Sequence, residues 1–143
     1  MTFAAPGGLV AFALTLCLAG SVAMADVVPI VSSTSAITTL SKTQVTDIFL
    51  GKVSRFPDGT QAIPIDQAEG SPARDEFYAT YAGKSPAQIK SHWAKIIFTG
   101  RGQPPKTVVS DSDVKILVAA NPQAISYIER SAVDSSVHVL LQP

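Results

Sequence analysis

The sequence predicts an α/β domain of three layers, in which helices flank a mixed β-sheet. Short runs of β-branched and apolar residues alternate with stretches whose apolar residues recur at helical spacing. No internal repeat, low-complexity tract or linker interrupts this alternation. The predicted order of elements is β-α-β-α-α-α-β-β, and such interleaving is typical of sheets covered by helices.

Four strands are predicted from runs rich in β-branched and apolar residues. They cover residues 26–32, 62–66, 124–128 and 137–141. Pro29 lies inside the first run and has no N–H for a sheet ladder, so we expect that strand at an edge or a bulge. Pro57-Asp58-Gly59 predicts the turn that precedes the second strand. Residues 101–106 (RGQPPK) are predicted to form an exposed loop.

Four helices are predicted to begin after serines that can cap a first turn, namely Ser41, Ser71, Ser85 and Ser110. Gln44 and Gln88 stand three residues after their caps and complete capping boxes. Pro72 and Pro86 occupy first helical positions, where a missing N–H does least harm. The third helix carries an apolar stripe that we expect to pack in the core, formed by Ile89, Trp93, Ile96 and Ile97.

The first 25 residues are predicted to be a secretory signal peptide and not part of the domain. An apolar run at 9–19 precedes Ala23-Met24-Ala25, an A-x-A cleavage pattern. The run is short for a membrane span, although an uncleaved anchor is the alternative. Cleavage after Ala25 would leave a domain of residues 26–143 without cysteine, in the periplasm.

Charge and motif content argue against several function classes. The chain has 11 basic and 11 acidic residues, and neither sign forms a block in the sequence. We therefore expect no nucleic-acid partner and no polybasic membrane contact. His92 and His138 have no ligand-spaced partner, and no nucleophile–base motif occurs. We therefore expect that the protein is not an enzyme and that it holds neither a metal ion nor a cofactor.

The turn between the second strand and the second helix has the layout of an anion cradle. Gly70 and Ser71 lie at the start of the helix, where backbone N–H groups and the helix dipole favour an anion. Arg74 can add a charge-assisted contact. The alternative is an ordinary helix start in which Arg74 pairs with Glu69, Asp75 or Glu76.

Three segments carry a resemblance to a known family: LSKTQVTDIFLGKVSRFPDGTQAIPI, EGSPARDEF and VAANPQAISYIE. In order and spacing they resemble phosphate-binding proteins of ABC importers, in the type 2 periplasmic binding protein family. The resemblance covers most of residues 27–129 and implies one lobe of that fold. It implies phosphate or another small oxyanion as ligand and an inner-membrane ABC permease, or another envelope protein, as partner.

Two departures from the family weaken the implied site. The chain has room for only one of the family's two lobes. In the turn, Pro72 replaces a glycine and has no N–H, Ala73 replaces a threonine and has no hydroxyl, and Gln67 stands near the position of an arginine. We therefore expect weak oxyanion binding at residues 69–74. The alternative is a ligand-free accessory module that forms a homodimer or docks on a membrane receptor or transporter.

A second candidate site follows the first strand. In the resembled fold, ligands bind in the crevice at strand ends. Ser33 and Ser35 carry hydroxyls that can line such a crevice. The alternative is a loop whose hydroxyls hydrogen-bond their own backbone.

Overall fold

The computed structural model describes residues 2, 7–8 and 26–142. The predicted signal peptide and its cleavage site lie almost entirely outside these residues, so that interpretation stays a prediction. Among the described residues, the helices are too short or too polar for a transmembrane segment.

Within residues 26–142, five strands and four α-helices form one unit, and this confirms the predicted α/β class. The strands are β1 (Val27–Ser32), β2 (Ile63–Gln67), β3 (Lys106–Val108), β4 (Ala124–Glu129) and β5 (Val137–Val139). The helices are α1 (Lys42–Phe49), α2 (Pro72–Ala82), α3 (Pro86–Phe98) and α4 (Asp111–Ala120), and a 3-10 turn covers Arg130–Ala132.

The strands form a mixed sheet in the order β3-β2-β4-β1-β5. β2 runs parallel to β3 and β4, whereas β1 runs antiparallel to β4 and β5. The sequence did not predict β3, because its three residues are too few for a periodic pattern. They follow the exposed loop and pair with β2, where Ile65 lies opposite Lys106.

The prediction that Pro29 marks an edge or a bulge is wrong. β1 lies between β4 and β5, and Pro29 is buried. The ladder with β5 covers only Ile30 to Ser32, so Pro29 lies just beyond it. Its carbonyl still accepts a hydrogen bond of 2.9 Å from the Leu140 N–H.

All four predicted helix caps are confirmed. The hydroxyl of each capping serine accepts the N–H three residues later, and Ser41 and Ser85 form full capping boxes with Gln44 and Gln88. These caps satisfy N–H groups that a helix leaves without intrahelical partners.

The sheet separates two apolar cores, which confirms the three layers. Side chains of α1, α2 and α3 pack with Val31 and Tyr127 on one face. Val114 and Val118 of α4 pack with Ile30 and Ile128 on the other. Neighbouring strand residues point to opposite faces, so both faces are apolar and both need a helical layer.

Helix α3 is less buried than its apolar stripe predicts. Of its 13 residues only Ile89 and Trp93 are buried, and Ile97 is 48% exposed. The Trp93 ring packs closely against Gly51, just after the end of α1. A Cβ atom built at Gly51 would lie only 2.9 Å from the Cη2 atom of Trp93. Gly51 also has a φ of +74°, so both the space and the backbone require glycine there.

Candidate functional site

The turn after β2 has the predicted helix-start geometry. Gly70 is exposed with a φ of +91°, and Ser71 caps α2 by accepting the Arg74 N–H at 3.4 Å. Pro72 occupies the first helical position and contributes no N–H. The start of α2 therefore faces solvent at the carboxyl end of β2 and is not sealed in the core.

The Ser71 hydroxyl already has an internal acceptor. It donates to Oε1 of Gln67 at 2.8 Å. The Gln67 amide nitrogen in turn donates to Oδ1 of Asp111 at 2.9 Å and to the Tyr127 carbonyl at 3.2 Å. A ligand that takes the Ser71 hydroxyl must therefore replace a hydrogen bond that ties the turn to the sheet.

Arg74 pairs with Asp66, a carboxylate that the sequence analysis did not assign to it. Its Nε lies 3.6 Å from Oδ1 of Asp66, and its side chain is 16% exposed. The alternative interpretation, in which Arg74 pairs with Glu69, Asp75 or Glu76, is wrong about the partner, because Asp66 near the end of β2 lies closer to the guanidinium. Within residues 26–142, the buried Arg74 Nε has no hydrogen-bond partner.

Asp66 is the centre of a buried polar network. It is 1% exposed and accepts hydrogen bonds from the Tyr78 hydroxyl at 2.5 Å, the Tyr127 hydroxyl and the Gln67 N–H at 2.8 Å. Burial raises the pKa of both tyrosines well above the ordinary value, and the Asp66 charge raises it further. Both hydroxyls therefore stay protonated donors, and the network compensates a carboxylate that is costly to bury alone.

A cleft of about 520 Å³ lies beside the turn. Arg74 and Glu69 line one wall, and Lys90 and Trp93 of α3 line the other. Lys90 Nζ lies 3.7 Å from Oε1 of Glu69 at the rim. The cleft thus places two cations and one carboxylate next to the positive end of α2.

Ser33 and Ser35 lie at the opposite end of the sheet from Ser71. β1 is antiparallel to β4 and β4 is parallel to β2, so the carboxyl ends of β1 and β2 point in opposite directions. Ser35 Oγ accepts the Ile37 N–H at 3.1 Å, and the Ser33 N–H donates to the Ser136 carbonyl at 3.1 Å. The Ser35 bond matches the self-bonded loop, whereas the Ser33 bond is a backbone contact to a distant segment. A ligand role for the two serines stays a prediction.

The histidines offer no metal centre in the described part of the chain. His92 Nε2 lies 2.8 Å from the Leu50 carbonyl and joins α3 to the end of α1. Among residues 26–142, no group of three or more histidine, cysteine or carboxylate residues is arranged to hold a metal ion.

Comparison with solved structures identifies the fold. No family model and no curated protein matches the chain. A phosphate transport receptor of the ABC type from Vibrio cholerae matches with a TM-score of 0.65 and 20% identity over 82% of this chain and 46% of its own. A Clostridium perfringens protein, assigned as a phosphate ABC transporter substrate-binding protein and solved with bound phosphate, matches with a TM-score of 0.63 and 23% identity over 82% and 44%.

PstS from Borrelia burgdorferi also matches, with a TM-score of 0.54 and 15% identity over 82% of this chain and 47% of its own. The chain spans less than half the length of these proteins. At this level of identity the likeness concerns the fold. The described domain has the fold of a single lobe of the phosphate-binding proteins of ABC transporters.

Proposed function

We propose that this protein binds phosphate or another small oxyanion at the turn of residues 69–74. The observation that carries the proposal is the Arg74 guanidinium at the start of α2, which lines the cleft beside the turn and whose Nε lies 3.6 Å from Asp66 without a hydrogen bond within residues 26–142. Lys90 and the positive end of the helix add to the potential in the adjoining cleft. The likeness to proteins named for phosphate supports this class of ligand.

The arrangement favours weak binding. Pro72 has no N–H to offer, and the Ser71 hydroxyl already donates to Gln67. Asp66 competes with a ligand for Arg74, and Glu69 adds negative charge at the rim. We expect a dissociation constant near millimolar, which corresponds to about −4 kcal/mol.

The names of the similar structures support a proposal for the cellular role. They are a transport receptor and substrate-binding proteins of ABC transporters. We infer that this chain acts in the periplasm after export and works with an inner-membrane ABC permease. Protein recovered from the cell envelope is then expected to begin at Asp26, which mass spectrometry checks.

A phosphate titration followed by NMR tests the site. Phosphate at millimolar concentration is expected to shift the backbone amides of Gly70, Ser71 and Ala73, whereas chloride at equal ionic strength leaves them in place. Pro72→Gly restores an N–H at the helix start and is expected to tighten binding about tenfold, because a hydrogen bond to a charged group adds about 1.5 kcal/mol.

Pro86→Gly is the matched control, since Pro86 occupies the same position of α3. It weakens a helix start in the same way and is expected to leave phosphate binding unchanged. A folded protein whose amides do not respond to phosphate, in both the unmodified and the Pro72→Gly form, would contradict oxyanion binding. The ligand-free accessory module would then be the better description.

A further inference from the structure

Helix α3 and its flanks form a cationic segment within a neutral chain. Residues 77–110 contain five basic residues and no acidic one, and the basic residues are Lys84, Lys90, Lys95, Arg101 and Lys106. All 11 acidic residues lie in the rest of the chain. Basic and acidic residues therefore form no short blocks in the sequence, but over this longer region the basic residues are concentrated.

The fold adds further basic groups to this region. A groove of about 330 Å³ between the ends of α1 and α3 is lined by Lys52, His92, Lys95 and Arg101. A neighbouring groove is lined by Lys84, His92 and Lys95. Among the described lining residues of the two grooves there is no aspartate or glutamate. We call this set of grooves the α3 surface.

Helix dipoles explain part of this clustering. The carboxyl ends of α1 and α3 both border the first groove, and each carries about half a negative charge. Together they offset about one of the positive charges. Lys52, Lys95 and Arg101 are all exposed, so the remaining positive charge faces solvent.

An exposed aromatic ring stands at the end of the same helix. Phe98 is 92% exposed, and it follows Lys95 by three residues, which places the two on neighbouring positions of the helix surface. Ile97 beside it is 48% exposed. The carboxyl end of α3 therefore presents Lys95 together with two exposed apolar side chains, a combination of charge and apolar surface that suits a membrane interface.

We propose that the α3 surface docks on a bilayer rich in anionic phospholipid, with Phe98 entering the headgroup region. The complementary charge identifies the partner, because each basic residue near such a surface adds about 1 kcal/mol. Lys84 precedes α3 and Arg101 follows it, so the cations extend over the length of a helix of about 20 Å and cannot all converge on one free phosphate ion. A lipid surface presents many phosphates over that distance and accepts the ring between them.

Vesicle flotation of the protein that begins at Asp26, the form expected in the cell envelope, tests this proposal. Vesicles of phosphatidylcholine with phosphatidylglycerol are compared with pure phosphatidylcholine, at low and high salt. Binding is expected only to the anionic vesicles and is expected to fall with salt. The double variant Lys95→Glu/Arg101→Glu is expected to weaken it at least about 20-fold, since two attractive charges are lost. Phe98→Ser is expected to weaken it severalfold at unchanged charge.

The matched control is Lys42→Glu/Arg130→Glu, an equal change of charge at exposed positions outside the α3 surface. It is expected to retain binding. Equal loss in the control and the α3 variant would overturn the proposal. So would the absence of binding to anionic vesicles by folded protein, or binding to polyglutamate or single-stranded DNA in place of vesicles. Release of bound protein by millimolar phosphate at constant ionic strength would point to a free-phosphate site and would equally overturn it.

Discussion

The end of β2 and the α3 surface both concentrate polar groups, but the charge is buried and compensated at the first and exposed at the second. At the end of β2, Asp66 is 1% exposed and its charge is met by Arg74 and two tyrosine hydroxyls. On the α3 surface, the cations face solvent with few acidic neighbours. The first arrangement ties the sheet to α2, and the second leaves charge available to a partner.

The contrast predicts that stability depends strongly on the buried network. Asp66→Ala would leave Arg74 without its carboxylate and two buried hydroxyls without their acceptor. We expect a loss of about 3–5 kcal/mol in the free energy of unfolding, the range for breaking a buried ion pair. Urea denaturation followed by circular dichroism measures it.

The control for this variant is Asp113→Ala, which removes an exposed carboxylate from the first turn of α4. Its loss should stay below about 1 kcal/mol, the value of a charge at a helix terminus. If Asp66→Ala cost no more than the control, the network would not be what holds α2 to the sheet.

The same network predicts a loss of stability at alkaline pH. The pKa of Tyr78 and of Tyr127 is raised above 10.0, so the native state keeps protons that the unfolded chain releases. The stabilisation is complete below pH 10 and decreases as the pH rises above it, by about 1.4 kcal/mol per pH unit for each tyrosine. Tyr127→Phe should therefore reduce the slope above pH 10, while Tyr78 and Tyr81, whose pKa burial also raises, continue to contribute.

Thermal or urea unfolding at closely spaced alkaline pH values gives this slope. The comparison is between slopes and not absolute stabilities, because Tyr127→Phe also removes a hydrogen bond to Asp66. An unchanged slope in the variant would contradict the assignment of a protonated hydroxyl to Tyr127.

The smallest effect is expected on the α3 side. Lys90 and Glu69 form an ion pair of 3.7 Å with side chains 75% and 65% exposed. Lys90→Ala should change the free energy of unfolding by less than about 0.5 kcal/mol, because exposed pairs gain little against solvent and side-chain entropy. A loss above about 1 kcal/mol, in the same urea assay, would mean that α3 depends on this contact and is not a freely presented surface.

Local signals in the sequence predicted the beginnings of helices well. Each cap joins a serine hydroxyl to an N–H three residues later, so the pattern and the bond lie within one short segment. The alternation of apolar runs likewise predicted the α/β class, since each strand and helix has to bury its own apolar face. The short strand β3 was missed because its pairing with β2, and not its own composition, makes it a strand.

The sequence predicted where the candidate site lies, but not which partners its side chains bond in the folded protein. The sequence located Gly70, Ser71 and Arg74 at the start of a helix. It did not indicate that Ser71 donates to Gln67 or that Arg74 pairs with Asp66, because both partners lie in the preceding strand and several carboxylates were available nearby. Their geometry depends on how α2 packs over the sheet.

The sequence alone determined the alternation of strands and helices, the helix caps and the turn that resembles an anion cradle, because each is encoded by residues close together along the chain. Only the tertiary structure placed Ser33 and Ser35 at the opposite end of the sheet from Ser71 and gathered Lys52 with the basic residues of α3. The physical reason is that strand order and helix packing bring together residues that are far apart in sequence. A chain of zero net charge can therefore present both a buried, compensated carboxylate and an exposed cationic surface.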